Sequence, residues 1–191
     1  LAHIIRLKGL DLRGAAGEPA DSLLGARSSA GKIFGATGGV MEAAVRTAYH
    51  LATGRELGRL ELKEVRGLDG IKQASVKIAG TVLEVAVVSG LMNARRLVED
   101  MAKGLRRYDF VEVMTCPGGC IAGGGQPHCT DPERVRARMA ALYDIDRHAK
   151  LRCAHKNPEV QQLYRDFLGQ PLGHKSHQLL HTSYAQRREG E

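Results

Sequence analysis

The stretch from Thr81 to Met114 constrains this chain most. Thr81-Val82-Leu83-Glu84-Val85-Ala86-Val87-Val88 is almost entirely apolar and rich in β-branched residues, the pattern of a strand covered on both faces. Ala94, Leu97, Val98, Met101 and Leu105 then recur at helical spacing, with Asn93 placed to cap the helix they define. Phe110-Val111-Glu112-Val113-Met114 reads as another short strand. Strand, helix and strand in this order close as a right-handed parallel crossover. The fold class that follows is α/β, a mostly parallel sheet flanked by helices.

The surrounding segments fit that frame. The first 30 residues read as a short amphipathic helix and a polar loop. A helix is expected from about Val40 to Thr53, with Met41, Ala44, Val45, Ala48 and Leu51 toward the core. Glu42 and Arg46 make an i, i+4 pair on its exposed side, and Gly54 ends it. Leu60 to Val65 and Ala74 to Ala79 alternate as half-buried strands do. Thr130 and Glu133 have capping-box spacing before a helix with Val135, Met139 and Leu142 on one face. Asn157-Pro158 opens a helix with Val160, Leu163, Tyr164 and Phe167 inward, closed by Gly169, and a last short helix carries Ser176 to His181.

Composition excludes several classes. The chain has 191 residues, 43% of them hydrophobic, enough for one ordinary core. Basic side chains outnumber acidic ones 28 to 21, for a net charge of +7. They are spread along the chain, with three Phe, no Trp and no RNP-like pattern, so nucleic acid is set aside as a partner. The excess reads as a solvated face, or as one that receives an acidic electron carrier. No apolar run approaches the roughly 20 residues that span a bilayer. No signal-peptide core follows Leu1, and the expected location is cytoplasmic.

The chemistry-bearing stretch is the loop after Met114: Thr115-Cys116-Pro117-Gly118-Gly119-Cys120-Ile121-Ala122-Gly123-Gly124-Gly125-Gln126-Pro127. It leaves the end of a parallel strand, where α/β sheets place their ligand sites. Two thiols four residues apart, with two glycines between them, can bend toward one centre. The glycines remove side-chain bulk, so backbone N–H groups can approach sulfide or small anionic ligands. Spacing alone leaves three readings open: an iron–sulfur site, a zinc half-site and no metal. A redox disulfide favours C-x-x-C. Gly35, Gly38 and Gly39 before a helix lack the order of a phosphate-binding loop. His174, His177 and His181 partly share a helical face, but without a carboxylate pattern they read as surface or packing residues.

Together, Cys-Pro-Gly-Gly-Cys-x-x-Gly-Gly-Gly-Gln-Pro and the Glu-Val-Met before it resemble the last cysteine signature of the iron-iron hydrogenases. Gly31-Lys32-Ile33-Phe34-Gly35-Ala36-Thr37-Gly38-Gly39-Val40-Met41-Glu42-Ala43-Ala44 is similar to that family's Gly-rich segment. Asn157 to Gly169, and Lys175 to Thr182, resemble its small-subunit segment. The resemblance implies one lobe of the iron-only hydrogenase fold at residues 1–150 and a small-subunit-like segment at 151–191. It implies reversible interconversion of dihydrogen with two protons and two electrons. The cofactor would be the H-cluster, a 4Fe–4S cube bridged by cysteine to a diiron subsite with carbonyl, cyanide and dithiolate ligands. Cys116 and Cys120 would be metal ligands, Cys120 also the bridge. Met114 and Phe34 would face the diiron unit, and Gly35, Thr37, Gly38 and Gln126 would line the cofactor. Cys129 and Cys153 fall outside the family's ligand motifs. The family's other cluster cysteines have no counterpart before Cys116, so the partners implied are an N-terminal half of the domain and ferredoxin or another electron carrier. The alternative is a related, non-catalytic iron–sulfur protein of cluster assembly.

Overall fold

In a computed structural model the structure describes residues 1–18, 27–58, 61–127 and 131–185. Three strands, β1 (Ile71–Ile78), β2 (Thr81–Ser89) and β3 (Phe110–Met114), form a sheet in that order. Among the described residues, seven α-helices accompany them: α1 (Ala2–Leu7), α2 (Ser29–Lys32), α3 (Gly39–Thr53), α4 (Leu91–Ala102), α5 (Pro132–His148), α6 (Pro158–Leu163) and α7 (His174–Leu180). Among the described residues no helix is long and apolar enough to cross a membrane.

The crossover from β2 through α4 to β3 is parallel, Val87 lying opposite Glu112. β1 and β2 are antiparallel, Ile78 lying opposite Thr81. The sheet is therefore mixed, one pairing of each kind, rather than mostly parallel. Only Ala79 and Gly80 separate those two strands, and both have positive φ, 49° and 89°. Such a two-residue turn reverses the chain and matches the right-handed strand twist.

Alternate residues of β2 face opposite layers. Val85 and Val87 meet Met41 and Val45 of α3 on one face, while Ala86 and Val88 meet Leu97 of α4 on the other. Each such valine, fully buried, contributes about 1.5–3 kcal/mol. A further core joins Ala30, Ile33 and Ala43 to Val135, Met139 and Tyr143 of α5, with Ile121 of the cysteine loop inside it. α3 thus lies between the sheet and α5.

That central position overturns the exposed Glu42–Arg46 pair, whose side chains are both 0% exposed. Arg46 Nη1 and Nη2 donate to Asp146 Oδ1 and Oδ2 of α5 at 2.9 and 2.8 Å, and Nη1 also donates to the Arg152 carbonyl. Arg66 closes the far side, donating to both oxygens of Glu42 at 2.9 and 2.8 Å. An amphipathic stripe marks one buried face but does not report a second one covered by charge pairing.

Other expectations shift locally. Leu60 lies outside the described residues; Lys63–Val65 is a 3₁₀ turn, not a strand, and it buries Val65, which strand alternation places with Glu61 and Lys63. The Val65 carbonyl packs against Gly38. Thr130 also lies outside the described residues, and α5 is capped by Asp131, which accepts from the Glu133 N–H at 2.9 Å. Asn93 sits inside α4 and donates to the Ser89 carbonyl instead of capping. Leu51, Val98, Leu105 and Phe167, all assigned to inward stripes, are more than half exposed. Gly54 ends α3 in a left-handed conformation, and Asn157 caps α6, as expected.

Candidate functional site

The site begins with a row across the sheet. Lys72 of β1, Val87 of β2 and Glu112 of β3 are register partners, and Glu112 reaches the start of α3. α3 has no side-chain cap of its own, because Gly38 stands at the cap position with φ +93°. The Glu112 carboxylate takes that role from another strand, accepting from the N–H groups of Gly38 at 2.6 Å and Met41 at 2.7 Å. A carboxylate there satisfies two orphan donors and meets the positive end of the helix dipole. Lys72 Nζ donates to Thr37 Oγ1 at 3.3 Å and to the Gly67 carbonyl at 3.0 Å. Burial pushes its ammonium down to about 8, against the raising influence of Glu112 and Asp69.

This anchoring fixes the turn Ile33–Gly35 and the residues up to Gly38, and the cysteine loop rests on that turn. Thr37 N–H donates to the Gly118 carbonyl at 3.1 Å. At Gly119, φ is +99°, and a Cβ would lie 2.7 Å from both Gly35 O and Thr37 N, so two backbones touch where only glycine fits. Gly119 N–H returns to the Cys116 carbonyl at 3.0 Å, turning the chain between the two thiols. The loop's far end is held by buried Ile121 and by Arg138 Nη1, which donates to the Ile121 carbonyl at 2.8 Å.

Cys116 is half-buried and Cys120 exposed, and both are free thiols. Phe34 projects with 46% of its surface exposed, and Met114, at the end of β3, is half-buried. Gly35 is half-buried, and a Cβ on it would meet Leu142 and Ile121. Thr37 and Gly38 are fully covered: Thr37 Oγ1 accepts from Lys72, and the Gly38 N–H is committed to Glu112. Gln126 is exposed, its N–H on the Gly123 carbonyl. The structure thus brings Cys116, Cys120, Gly35 and Thr37 together. A neighbouring cavity of about 490 Å³, lined by Leu68, Pro117, Gly118 and Val135, includes neither cysteine. The thiols lie on an open face.

Cys153 is buried, and burial pushes its thiol up, which leaves it inert. Cys129 lies outside the described residues. His177 and His181 stack with ring centroids 4.2 Å apart. Sequence reasoning did not single out Glu112 or Lys72. The available signal was a carboxylate in the middle of a five-residue apolar strand, since an acidic residue there is rarely buried without partners.

Two free thiols on a glycine-packed loop at a strand end are the donor set that a metal or cluster site of the cysteine class would use. Comparison with known proteins makes the class specific. Residues 1–124 match the family described as iron only hydrogenase large subunit, C-terminal domain, and residues 132–187 match iron hydrogenase small subunit. The chain belongs to the iron-only hydrogenase family. It is 47% identical over 188 residues to the NADP-reducing hydrogenase subunit HndD of Solidesulfovibrio fructosivorans, covering 98% of this chain and 32% of that protein. It also resembles a solved variant of the [FeFe]-hydrogenase HydA1 from Chlamydomonas reinhardtii, with a TM-score of 0.71 and 43% identity over 95% of this chain and 53% of that one. Protein NAR1 of Arabidopsis thaliana is 28% identical over 194 residues, 96% of this chain and 40% of that protein. The chain spans about a third of the length of HndD and about half of the solved hydrogenase chain.

Proposed function

We propose that this chain supplies half of the cluster site of an iron-iron hydrogenase, with Cys116 and Cys120 as two of the cysteine ligands and Cys120 as the bridge. The observation that carries the reading is the seating of the Cys116–Cys120 loop on the Phe34–Gly38 turn through Thr37 N–H to Gly118 O. The donor set fits the H-cluster: two free thiols separated by Pro117, Gly118 and Gly119, on a turn whose glycines leave the backbone bare. Two thiols on an open face also fit half a site, because a 4Fe–4S cube generally takes four protein ligands. When bound, the cluster would supply the heterolysis of dihydrogen and the redox equivalents.

This chain's own residues would hold and shelter it. Cys116 and Cys120 ligate as thiolates, Phe34 and Met114 exclude water with apolar surface, and Gly35 and Gln126 border the cofactor through backbone and amide. Thr37 and Gly38 act from behind, fixing the turn through Lys72 and Glu112. We assign residues 151–191 to a C-terminal segment, whose described part is tied to the lobe by Ser29 N–H on the Leu151 carbonyl and Arg46 Nη1 on the Arg152 carbonyl. The missing ligands come from a companion N-terminal half, and the net positive charge favours ferredoxin or another acidic carrier as electron partner.

The second reading, a non-catalytic assembly protein, draws on the likeness to Protein NAR1. The higher identity to the hydrogenase subunit HndD, 47% against 28% for Protein NAR1, favours the enzyme. The test is to produce the chain anaerobically with maturation machinery, alone and joined to the N-terminal half of a related hydrogenase. Iron, acid-labile sulfide and dihydrogen evolution are then measured. The joined form should hold the cluster and turn over; Cys120→Ser should abolish both. Turnover by the chain alone, or by the Cys120→Ser form, refutes the assignment. Cluster without turnover in the joined form supports the assembly reading.

A further inference from the structure

We propose that His50, Glu56 and His155 form a binding site for a divalent transition-metal ion of the zinc class, built from residues the cysteine loop does not use. His50 sits on the last turn of α3, Glu56 just beyond Gly54, and His155 in the 3₁₀ turn Ala154–Lys156. Their donor atoms all lie within 4.8 Å of one another. His50 Nδ1 is 3.2 Å from Glu56 Oε1, and His155 Nε2 is 3.3 Å from the same oxygen. Bonds of about 2.0–2.1 Å to a tetrahedral ion set ligand atoms about 3.3 Å apart. Two of the three edges already have that length.

The surroundings favour ligation. Thr47 Oγ1 lies 3.2 Å from His155 Nδ1. That contact holds the ring's orientation from its far nitrogen, as partners of ligating histidines do, and leaves Nε2 facing the Glu56 carboxylate at 3.3 Å. His50 Nδ1 is a buried atom that no hydrogen bond satisfies.

The two rings stack, with centroids 4.2 Å apart and planes 8° from parallel, so one must tilt to aim its lone pair at an ion. His50, 35% exposed, has the room; His155, 8% exposed and held by Thr47, is the fixed ligand. Lys156 Nζ, 3.3 Å from Glu56 Oε2, occupies the other carboxylate oxygen and leaves Oε1 to the ion. Both histidines line a cavity of about 590 Å³ that Tyr164 and His181 also border, with space for a further ligand on the ion. Two histidines, a glutamate and an open position make a recognised zinc arrangement. An ion here would pin the C-terminal segment to the end of α3.

The test uses the full 191-residue chain carrying Cys116→Ser, Cys120→Ser and Cys129→Ser, so that no loop thiol competes. Chelator-stripped protein is titrated with Co²⁺ and then Zn²⁺. One equivalent of Co²⁺ should give the ligand-field bands of a four- or five-coordinate ion, Zn²⁺ should displace it, and the melting temperature should rise. Thr47→Val should weaken binding about tenfold, and the His50→Ala, His155→Ala double variant should lose it with the far-ultraviolet dichroism unchanged. Absence of bands at one equivalent, or bands that survive the double variant, overturns the site. Should the double variant fail to fold, Glu56→Gln decides: bands unchanged in it overturn the site, and bands lost support it.

Discussion

Arg46→Met tests the claim that a buried charge network, not an apolar stripe alone, holds α3 in the middle of the lobe. The substitution keeps the volume roughly constant and removes donations to both oxygens of Asp146, to Glu42 and to the Arg152 carbonyl. Breaking a buried ion pair costs about 3–5 kcal/mol. Neither carboxylate is left bare here: Asp146 keeps Arg152 Nη2 and Ser29 Oγ, and Glu42 keeps Arg66. The loss should therefore fall at the lower end, about 3 kcal/mol, roughly a hundredfold in the folded-to-unfolded ratio. Urea unfolding followed by far-ultraviolet dichroism should show a lower midpoint at an unchanged slope. Replacing all three groups, as Glu42→Met, Arg46→Met and Asp146→Leu, should recover most of the loss, since Arg66 and Arg152 can reach water. Burial pushes the Asp146 carboxyl up, but hydrogen bonds from Arg46, Arg152 and Ser29 outweigh it and hold it well below the usual range. Its contribution is present above the unfolded value, about pH 4, and is lost as pH falls toward the folded one. The parent should lose stability more steeply than Arg46→Met below that pH. An Arg46→Met midpoint within about 0.5 kcal/mol of the parent, or a triple variant weaker than the single one, refutes the reasoning.

Lys72 gives the opposite sign. Its folded value near 8 lies below the unfolded 10.5, so the unfolded chain binds the extra proton and stability should rise between those limits, by about 3 kcal/mol. Lys72→Met should remove that rise in pH-dependent urea unfolding. Gly119→Ala should force the cysteine loop off the Phe34–Gly38 turn, at about 1–3 kcal/mol for the strained φ before any clash; faster amide exchange at Thr37 would report it, and unchanged protection would contradict it. Gly38→Ala should be worse, because its Cβ would fall 2.0 Å from the Val65 carbonyl oxygen; a thermal unfolding curve matching the parent's would contradict that.

What the sequence disclosed was largely periodic. The apolar run of β2 announced a strand covered twice, and the helical spacing after it announced the crossover; both follow from side-chain direction alone. The seating of the cysteine loop at a strand end was legible from the short strand before it, while spacing alone left the use of its thiols open. The sheet's mixed direction was less visible, since it turns on Ala79-Gly80, where alanine occupies a positive φ that sequence rules reserve for glycine and asparagine. Glu42 and Arg46 misled for a deeper reason. An i, i+4 pair looks the same whether it faces water or a second layer, and the deciding partners, Asp146 and Arg66, lie 100 and 24 residues from their mates on α3.

The geometry of the two thiols depends on groups that never touch them. Burial of β2 between α3 and α4 sets the register that places Glu112 beside Val87. Glu112 then holds the start of α3 through Gly38 and Met41, and Lys72, from the other side of Val87, holds Thr37. Thr37 fixes Gly118, and the backbone contact at Gly119 leaves the turn between Cys116 and Cys120 little freedom. The links through Glu112, Lys72 and Thr37 are buried polar contacts, costly to leave unmade, and they carry the order beyond the apolar packing of β2. A loop of nearly bare glycine is floppy by composition. Here its rigidity is imported from a strand, a helix end and one lysine, which is why those charges stay buried at a cost the lobe could otherwise avoid.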